Sequence, residues 1–172
     1  ARSASNTNQE SLLCVDYINL YDYEAEQFFA YDDKSDFMPV IKKEDKEHLE
    51  VVIFGANSMG RAVARTLAHV VHYPNSQNIN HRSRITIVSE NVEEWAREFM
   101  ASHRGLFCLS NWMLTDANGV TELHCPVEEY GDYLDIEWHF VYGTSTSVEL
   151  ESLFCENSVK RIVVCEDSDT QS

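Results

Sequence analysis

Six consecutive residues of this chain, GANSMG at positions 55–60, have the residue types and spacing of a phosphate-binding loop. In the pattern GxGxxG, the first glycine allows a tight turn and the last lets a helix approach the preceding strand closely. The free amides and the positive dipole end of that helix then attract a pyrophosphate. The sequence therefore predicts a cofactor-binding loop formed by Gly55, Ala56, Asn57, Ser58, Met59 and Gly60.

Asn57 occupies the position of the middle glycine, where the backbone normally passes very near the phosphates. Asparagine tolerates unusual backbone angles better than most residues, so we expect nucleotide binding to be weakened rather than abolished. The loop follows an apolar run and precedes a helical pattern, and this context favours a true nucleotide loop. A Rossmann scaffold that has lost its ligand is the alternative.

Glu90 follows the second predicted strand, where an acidic residue accepts hydrogen bonds from an adenosine ribose. Its charge would repel a 2′-phosphate, so we expect NAD(H) or another adenine nucleotide rather than NADP(H). The interval from Gly60 to Glu90 exceeds the usual spacing by roughly ten residues, and the polar stretch HYPNSQNINHRS is expected to loop out. A solvated glutamate at a strand end is the alternative interpretation.

Short apolar runs alternate with helical patterns from residue 50 onward. The first run, VVIF, is rich in β-branched residues without polar alternation, as expected of a strand buried on both faces of a parallel sheet. The alternation predicts an α/β fold, a Rossmann-like parallel sheet with flanking helices and right-handed crossovers. We predict four strands, at residues 51–54, 84–89, 136–142 and 159–165.

Helices are predicted between these strands. Residues 59–71 place apolar side chains at helical spacing, and Pro74 supplies a stop signal. Asn91 is expected to cap a second helix that has acidic residues in its first turn. Thr146 and Glu149 have the spacing of a capping box, which predicts a short third helix, VELESLFCEN.

The chain divides into an N-terminal extension, residues 1–47, and a nucleotide-binding domain, residues 48–172. Residues 1–10 are small and polar and are expected to be disordered. Residues 11–47 interleave aromatic with acidic side chains, so they either pack on the main domain or dock another chain. Residues 110–133 contain turn-forming residues and predict an insertion or long loop that can contain a short hairpin.

Composition excludes several classes of protein. With 172 residues, 44% of them hydrophobic, one domain with its own core is expected. A formal net charge of −16 would repel a nucleic-acid backbone, so no nucleic-acid partner is expected. No apolar run approaches the roughly 20 residues that cross a bilayer, and no secretory signal is visible. The chain starts at Ala1 without methionine, as expected of a processed chain or a fragment.

Few other residues suggest chemistry. The five cysteines are scattered singly, which favours reduced thiols in a cytoplasm, and Cys155 and Cys165 are expected to be buried hydrophobes. His69 and His72 lack a third ligand at recognisable spacing, so no metal site is predicted. No GxSxG elbow and no YxxxK pair follows the loop, so no catalytic residue is predicted.

The segments VVIFGANSMGRAVARTLA, FVYGTSTSVELESLF and VKRIVVCEDSD together resemble the TrkA-N domain, the nucleotide-binding half of the RCK modules that regulate potassium channels and transporters. The family's third strand ends in Gly-Asp before a short helix with a central leucine. The corresponding residues here are Gly143, Thr144 and Leu150, with Thr144 in place of the aspartate. The family's fourth strand ends near acidic residues, here Glu166 and Asp167.

The resemblance implies that Gly143 and Thr144 join the loop and Glu90 in binding the cofactor. It implies a regulatory, NAD(H)- or adenine-nucleotide-binding domain that is not an enzyme and that controls potassium transport. The expected partners are a second copy in a homodimer and a membrane transport protein or a transmembrane part of the same parent. The expected location is the cytoplasm. The alternative is the cofactor domain of an NAD-dependent oxidoreductase whose catalytic part lies elsewhere.

Overall fold

The computed structural model describes residues 19–30, 37–125 and 135–165. These residues form an α/β fold in which helices flank a six-stranded sheet. The strands are β1 (His48–Phe54), β2 (Ser83–Ser89), β3 (Asn111–Thr115), β4 (Thr121–His124), β5 (Ile136–Tyr142) and β6 (Ser158–Val164). The helices are α1 (Leu20–Ala30), α2 (Ser58–Val70), α3 (Val92–Ser102) and α4 (Arg104–Leu109), with 3₁₀ helices at Ile79–His81 and Leu150–Leu153.

The strand order is β4-β3-β5-β2-β1-β6, and every pairing is parallel except that of β3 with β4. This mostly parallel sheet confirms the predicted α/β class and is consistent with a Rossmann-like fold. None of the helices in the described ranges has both the length and the apolar character needed to cross a bilayer.

The core lies between one face of the sheet and helices α2 and α3. All seven residues of β1 are buried, as expected of a central parallel strand. Helix α2 is amphipathic, and its Leu67 shares a core cluster with Ile53 of β1 and Phe99 of α3. The largest fully buried side chain of the described core is Trp138 of β5, which contacts Phe107 of α4 at 5.1 Å between ring centroids.

All four predicted strands are present, but the sheet has two more. Both lie within residues 110–133, where the sequence predicts an insertion or a long loop. β3 pairs in parallel with β5, and it turns into β4 through a hairpin whose Asp116 carboxylate accepts hydrogen bonds from the Asn118 and Val120 amides. The hairpin reading is therefore confirmed, and residues 126–134 lie outside the described part of the chain.

Two predicted helix caps are wrong. Asn91 stands at the start of α3 but makes no side-chain cap, and its side-chain oxygen Oδ1 accepts a hydrogen bond from the Ser89 hydroxyl instead. Glu149 likewise makes no side-chain cap, and only the short 3₁₀ helix Leu150–Leu153 follows it. A capping box has reciprocal hydrogen bonds between the side chain of each residue and the amide of the other. In this structure such bonds lie two residues earlier than predicted, between Thr144 and Ser147.

Part of the N-terminal extension packs on the main domain. In α1, Ala25 is fully buried and Asp22 forms an ion pair with Arg65 of α2. Three phenylalanine rings, Phe28, Phe29 and Phe37, meet edge to face. The predicted disordered lead, residues 1–10, lies outside the described ranges. So do Tyr17 and Tyr31, two of the aromatic residues of the extension.

The second face of the sheet is crossed by the β5–β6 connection, residues 143–157. Its Val148, Leu153 and Phe154 pack against a small cluster formed by Val52, Phe54 and Val88. At the end of the described sheet, Ile162 and Val164 of β6 are 44% and 64% exposed on this face. The connection thus runs from the carboxyl ends of the strands to their amino ends.

Candidate functional site

Six of the nine predicted site residues meet in a cleft where the parallel strands end. The Gly55 amide donates to the Val88 carbonyl at 3.1 Å, and the Gly143 amide donates to the Ser89 carbonyl at 3.3 Å. These bonds hold the ends of β1, β2 and β5 side by side. The resulting carboxyl-edge cleft has a volume of about 590 Å³, and its lining includes Gly55, Ala56, Asn57, Glu90, Gly143 and Thr144.

The two loop glycines have the structural roles that the motif predicts. Gly55 has φ 109°, a left-handed conformation that side chains disfavour. A Cβ atom on Gly60 would lie 2.1 Å from the Gly55 carbonyl oxygen, so only glycine allows α2 to start this close to β1. Met59 packs against the core instead of lining the cleft. Gly60 and Met59 therefore support the conformation of the loop without lining the cleft.

Asn57 does not have the role expected of it. Its backbone is extended, with φ −119°, so tolerance of unusual angles is not why asparagine stands here. Its Oδ1 accepts a hydrogen bond from the Gly60 amide at 2.9 Å, and its Nδ2 donates to the Cys165 carbonyl. Asn57 therefore caps α2 and ties the loop to the end of β6, which removes the Gly60 amide from those free to bind phosphate.

The opposite wall of the cleft is formed by the turn after β5. Gly143 has φ 151°, and a Cβ atom there would lie 2.3 Å from Cγ2 of Val148. The Thr144 amide donates to the Ser147 hydroxyl at 2.8 Å, and the Thr144 hydroxyl accepts from the Ser147 amide at 3.1 Å. Thr144 thus contributes to the wall while its hydroxyl stabilises the turn. Glu90 lies exposed at the end of β2.

A second cavity, of about 510 Å³, adjoins the loop on the side of α1 and α3. Ala56 and Asn57 line both cavities, and Ser58 lines this one. Arg61 and Arg65 of α2 also line it, next to the helix amino terminus. Arg61 pairs with Glu98 at 3.3 Å, and its guanidinium lies 5.6 Å from the centre of the Trp95 ring. Two guanidinium groups therefore border the loop, and each is paired with a carboxylate, Arg61 with Glu98 and Arg65 with Asp22.

The opposite edge of the sheet holds a group of polar residues that the sequence does not reveal, here called the amino-edge cluster: His48, Glu50, Arg84 and Cys155. Cys155 is not in the apolar surroundings predicted for it, since Arg84 Nη1 donates to its sulfur at 3.1 Å. Burial alone would raise the pKa of Glu50. The hydrogen bonds from His48 and the Cys155 amide, with the Arg84 guanidinium, lower it to about 2.

The other predicted residues are dispersed. Cys165 is buried as expected, and burial raises the pKa of its thiol to about 11. His72 lies 2.6 Å from a carboxylate oxygen of Asp135, and His69 is exposed. Glu166 and Asp167, the acidic residues expected near the end of the last strand, lie outside the described residues.

Comparisons of the chain with models of protein families, with curated proteins and with solved structures found no match.

Proposed function

We propose that this chain is a non-catalytic regulatory domain that binds an adenine nucleotide in the carboxyl-edge cleft, of the kind that its resemblance to TrkA-N domains implies. The order β5-β2-β1-β6 supports a Rossmann-like assignment, since it corresponds to the order 3-2-1-4 of that fold. The observation that carries the proposal is the convergence of Gly55, Glu90 and Gly143 on one cleft of about 590 Å³, a size typical of small-molecule sites.

The ligand has a defined orientation in this proposal. The ribose lies beside Glu90, whose carboxylate accepts its hydroxyl hydrogen bonds. The phosphates lie over the start of α2, where the amides of Ser58 and Met59 have no intrahelical partner. Arg61, in the adjoining cavity, adds positive charge at that end of the ligand.

Asn57 favours a mononucleotide over a dinucleotide. A dinucleotide in this type of fold crosses the point where the strand order reverses, which here lies between β1 and β6. The Asn57 side chain bridges that point by binding the Cys165 carbonyl. AMP, ADP or ATP can occupy the β2 side alone, whereas NAD(H) must displace Asn57.

The lining of the cleft supports binding without catalysis. Among the described residues that line it, Glu90 is the only acidic or basic side chain, and the others are glycine, alanine, valine, amide or hydroxyl residues. General acid–base chemistry needs a titrating group within hydrogen-bond reach of the reacting atoms, and in this proposal Glu90 contacts the ribose instead. An NADH oxidation assay over carbonyl substrates distinguishes this proposal from the oxidoreductase alternative, because turnover at an ordinary enzymatic rate would contradict it.

Calorimetric titration with AMP, ATP and NADH tests the site. Thr146 is exposed and lines the cleft, so Thr146→Trp should fill it without touching the core and should weaken AMP binding at least about tenfold. Thr121→Trp, on the exposed strand β4, is the matched control and should bind like the unmodified chain. Failure of the unmodified chain to bind any of the three nucleotides would refute the proposal, as would unchanged binding by Thr146→Trp.

The proposal includes self-association and attachment to a membrane transport protein, both implied by the resemblance. A second copy of the chain is best placed against the exposed face of β6. Val164 and Val120 are both 64% exposed, but only Val164 lies on that face. Sedimentation should show a dimer that Val164→Asp weakens and Val120→Asp leaves intact, and equal behaviour of the two variants would remove β6 from the interface.

A further inference from the structure

The amino-edge cluster contains three side chains of the kinds that bind transition metals. His48 and Glu50 are two residues apart on β1, so they point to the same face of the sheet. They are only 6% and 1% exposed, and His48 Nε2 lies 3.2 Å from Glu50 Oε1. An imidazole and a carboxylate are therefore held together where water has little access.

Cys155 joins them from the β5–β6 connection. Its backbone amide donates a hydrogen bond of 2.7 Å to Glu50 Oε2, which holds the residue against the carboxylate. One ligand atom from each of His48, Glu50 and Cys155 lies within 4.8 Å of the others. His48 and Cys155 also line a cavity of about 390 Å³, which gives solutes a path to the cluster.

We propose that His48, Glu50 and Cys155 bind a divalent transition metal of the zinc class at the amino edge of the sheet. Imidazole nitrogen, thiolate sulfur and carboxylate oxygen are the ligands of zinc in proteins, and three of them leave the fourth position for water or another ligand. This site lies at the opposite edge from the carboxyl-edge cleft, so it does not depend on the nucleotide proposal.

A buried orphan atom supports the proposal. His48 Nδ1 is buried and has no hydrogen-bond partner among the described residues. Leaving a buried polar atom unpaired costs about 1 to 3 kcal/mol, which a purely structural imidazole would not need to incur. Nε2 already pairs with Glu50, so a metal bound to Nδ1 would remove this penalty.

Arg84 is the competitor for this site. Its Nη1 lies 2.7 Å from Glu50 Oε1 and 3.1 Å from the Cys155 sulfur. The guanidinium therefore occupies the place that a metal ion would take among these ligands. Its Nη2 is 3.4 Å from Glu137 Oε2, which offers an alternative partner when a metal enters. Binding then exchanges one cation for another, and the Cys155 thiol releases its proton to solvent as the thiolate binds the metal.

Cobalt(II) absorption of the full chain under reducing conditions tests the site, because a thiolate ligand produces a sulfur-to-cobalt charge-transfer band. The expected result is one cobalt per chain, the band, and its loss on addition of Zn²⁺. Loss of an outer-shell partner already costs about 10- to 100-fold in metal affinity, so Cys155→Ser should weaken binding at least about 100-fold and remove the band. Cys108→Ser, at an exposed thiol, is the matched control and should change nothing.

Arg84→Met sharpens the test because it removes the competing cation while leaving all three ligands. Tighter binding of cobalt, by about tenfold or more, is expected from this variant, with circular dichroism to verify the fold. Absence of the band from the unmodified chain would overturn the proposal. So would a band that survives in Cys155→Ser, or one that Cys108→Ser abolishes.

Discussion

The two edges of the sheet are built in opposite ways. The carboxyl-edge cleft consists of turns, glycines and helix amides, and its single charged side chain, Glu90, is exposed among the described lining residues. The amino-edge cluster consists of charged and polar side chains, with Glu50 only 1% exposed and held by Arg84 and His48. Main-chain groups dominate one edge and side chains dominate the other.

This difference predicts different consequences of substitution. Where the backbone forms the site, side-chain changes should alter ligand affinity slightly unless they displace the chain itself or fill the cleft. Where buried charges form it, removing one charge leaves another with weaker partners in a poorly solvated position, which is costly even without any ligand.

Glu50→Gln should cause the largest change, a loss of about 3 to 5 kcal/mol in the free energy of unfolding in the presence of a metal chelator. The variant leaves the partly buried Arg84 guanidinium without its 2.7 Å partner. Glu122→Gln breaks an exposed ion pair with Arg97 and should cost less than about 1 kcal/mol. Urea denaturation measures the free energy of unfolding of both variants. Equal losses would show that the burial of Glu50 does not increase the cost of removing its charge.

Gly60→Val should have the second largest effect, a loss of about 3 kcal/mol in the free energy of unfolding and no detectable nucleotide binding. The new side chain would collide with the Gly55 carbonyl, a backbone atom that cannot move without displacing the loop. Gly105→Val is the matched control, since nothing lies within 4 Å of a Cβ there. Urea denaturation and calorimetry should separate the two variants, and nucleotide binding by Gly60→Val would contradict the site assignment.

Acidification should destabilise the chain through His139, on the face that carries the cluster. Burial, and secondarily the Arg84 guanidinium, lowers the pKa of His139 to about 4, although Glu50 opposes this. The unfolded chain takes up the proton near pH 6.5, so stability is full above that pH and is lost as the pH falls towards about 4. The loss on going from about pH 7.5 to about pH 5 should be about 2 kcal/mol.

His139→Gln should reduce that pH dependence, while His69→Gln, at an exposed position, should retain it. Urea denaturation at both pH values gives the comparison. An undiminished loss of stability in His139→Gln would assign the acid sensitivity to other groups.

Glu90→Gln should have the smallest effect, because the side chain is exposed and its charge is screened by water. The preference for AMP over adenosine 2′,5′-bisphosphate should fall by about fivefold or less, equivalent to about 1 kcal/mol. Glu94→Gln, on the exposed side of α3, should leave the preference unchanged. Calorimetry measures the affinities of both ligands. A preference in Glu90→Gln identical to that of the unmodified chain would show that the ribose does not lie beside Glu90.

The same contrast explains what the sequence could predict. The loop at residues 55–60 and the strands around it are local patterns, and the cleft follows because parallel strands end at one edge. Strand β3 could not be predicted because its five residues have no clear alternation, and its pairing with β5 makes it a strand. Glu50 and Cys155 are 105 residues apart, so only the fold brings them together.

Asn57 shows a further limit of motif reading. Its substitution for glycine suggests a backbone adaptation, yet the backbone is ordinary and the side chain binds Gly60 and Cys165. The second partner is 108 residues away and follows another strand, β6, so the motif alone could not reveal it.

The β5–β6 connection borders the carboxyl-edge cleft at Gly143 and the amino-edge cluster at Cys155. A ligand at either edge therefore restricts the same stretch of chain. If a first ligand orders that stretch further, the second binds at a smaller cost in conformational entropy. Nucleotide and metal are thus expected to strengthen each other's binding by equal factors, with no change in the average shape of the sheet.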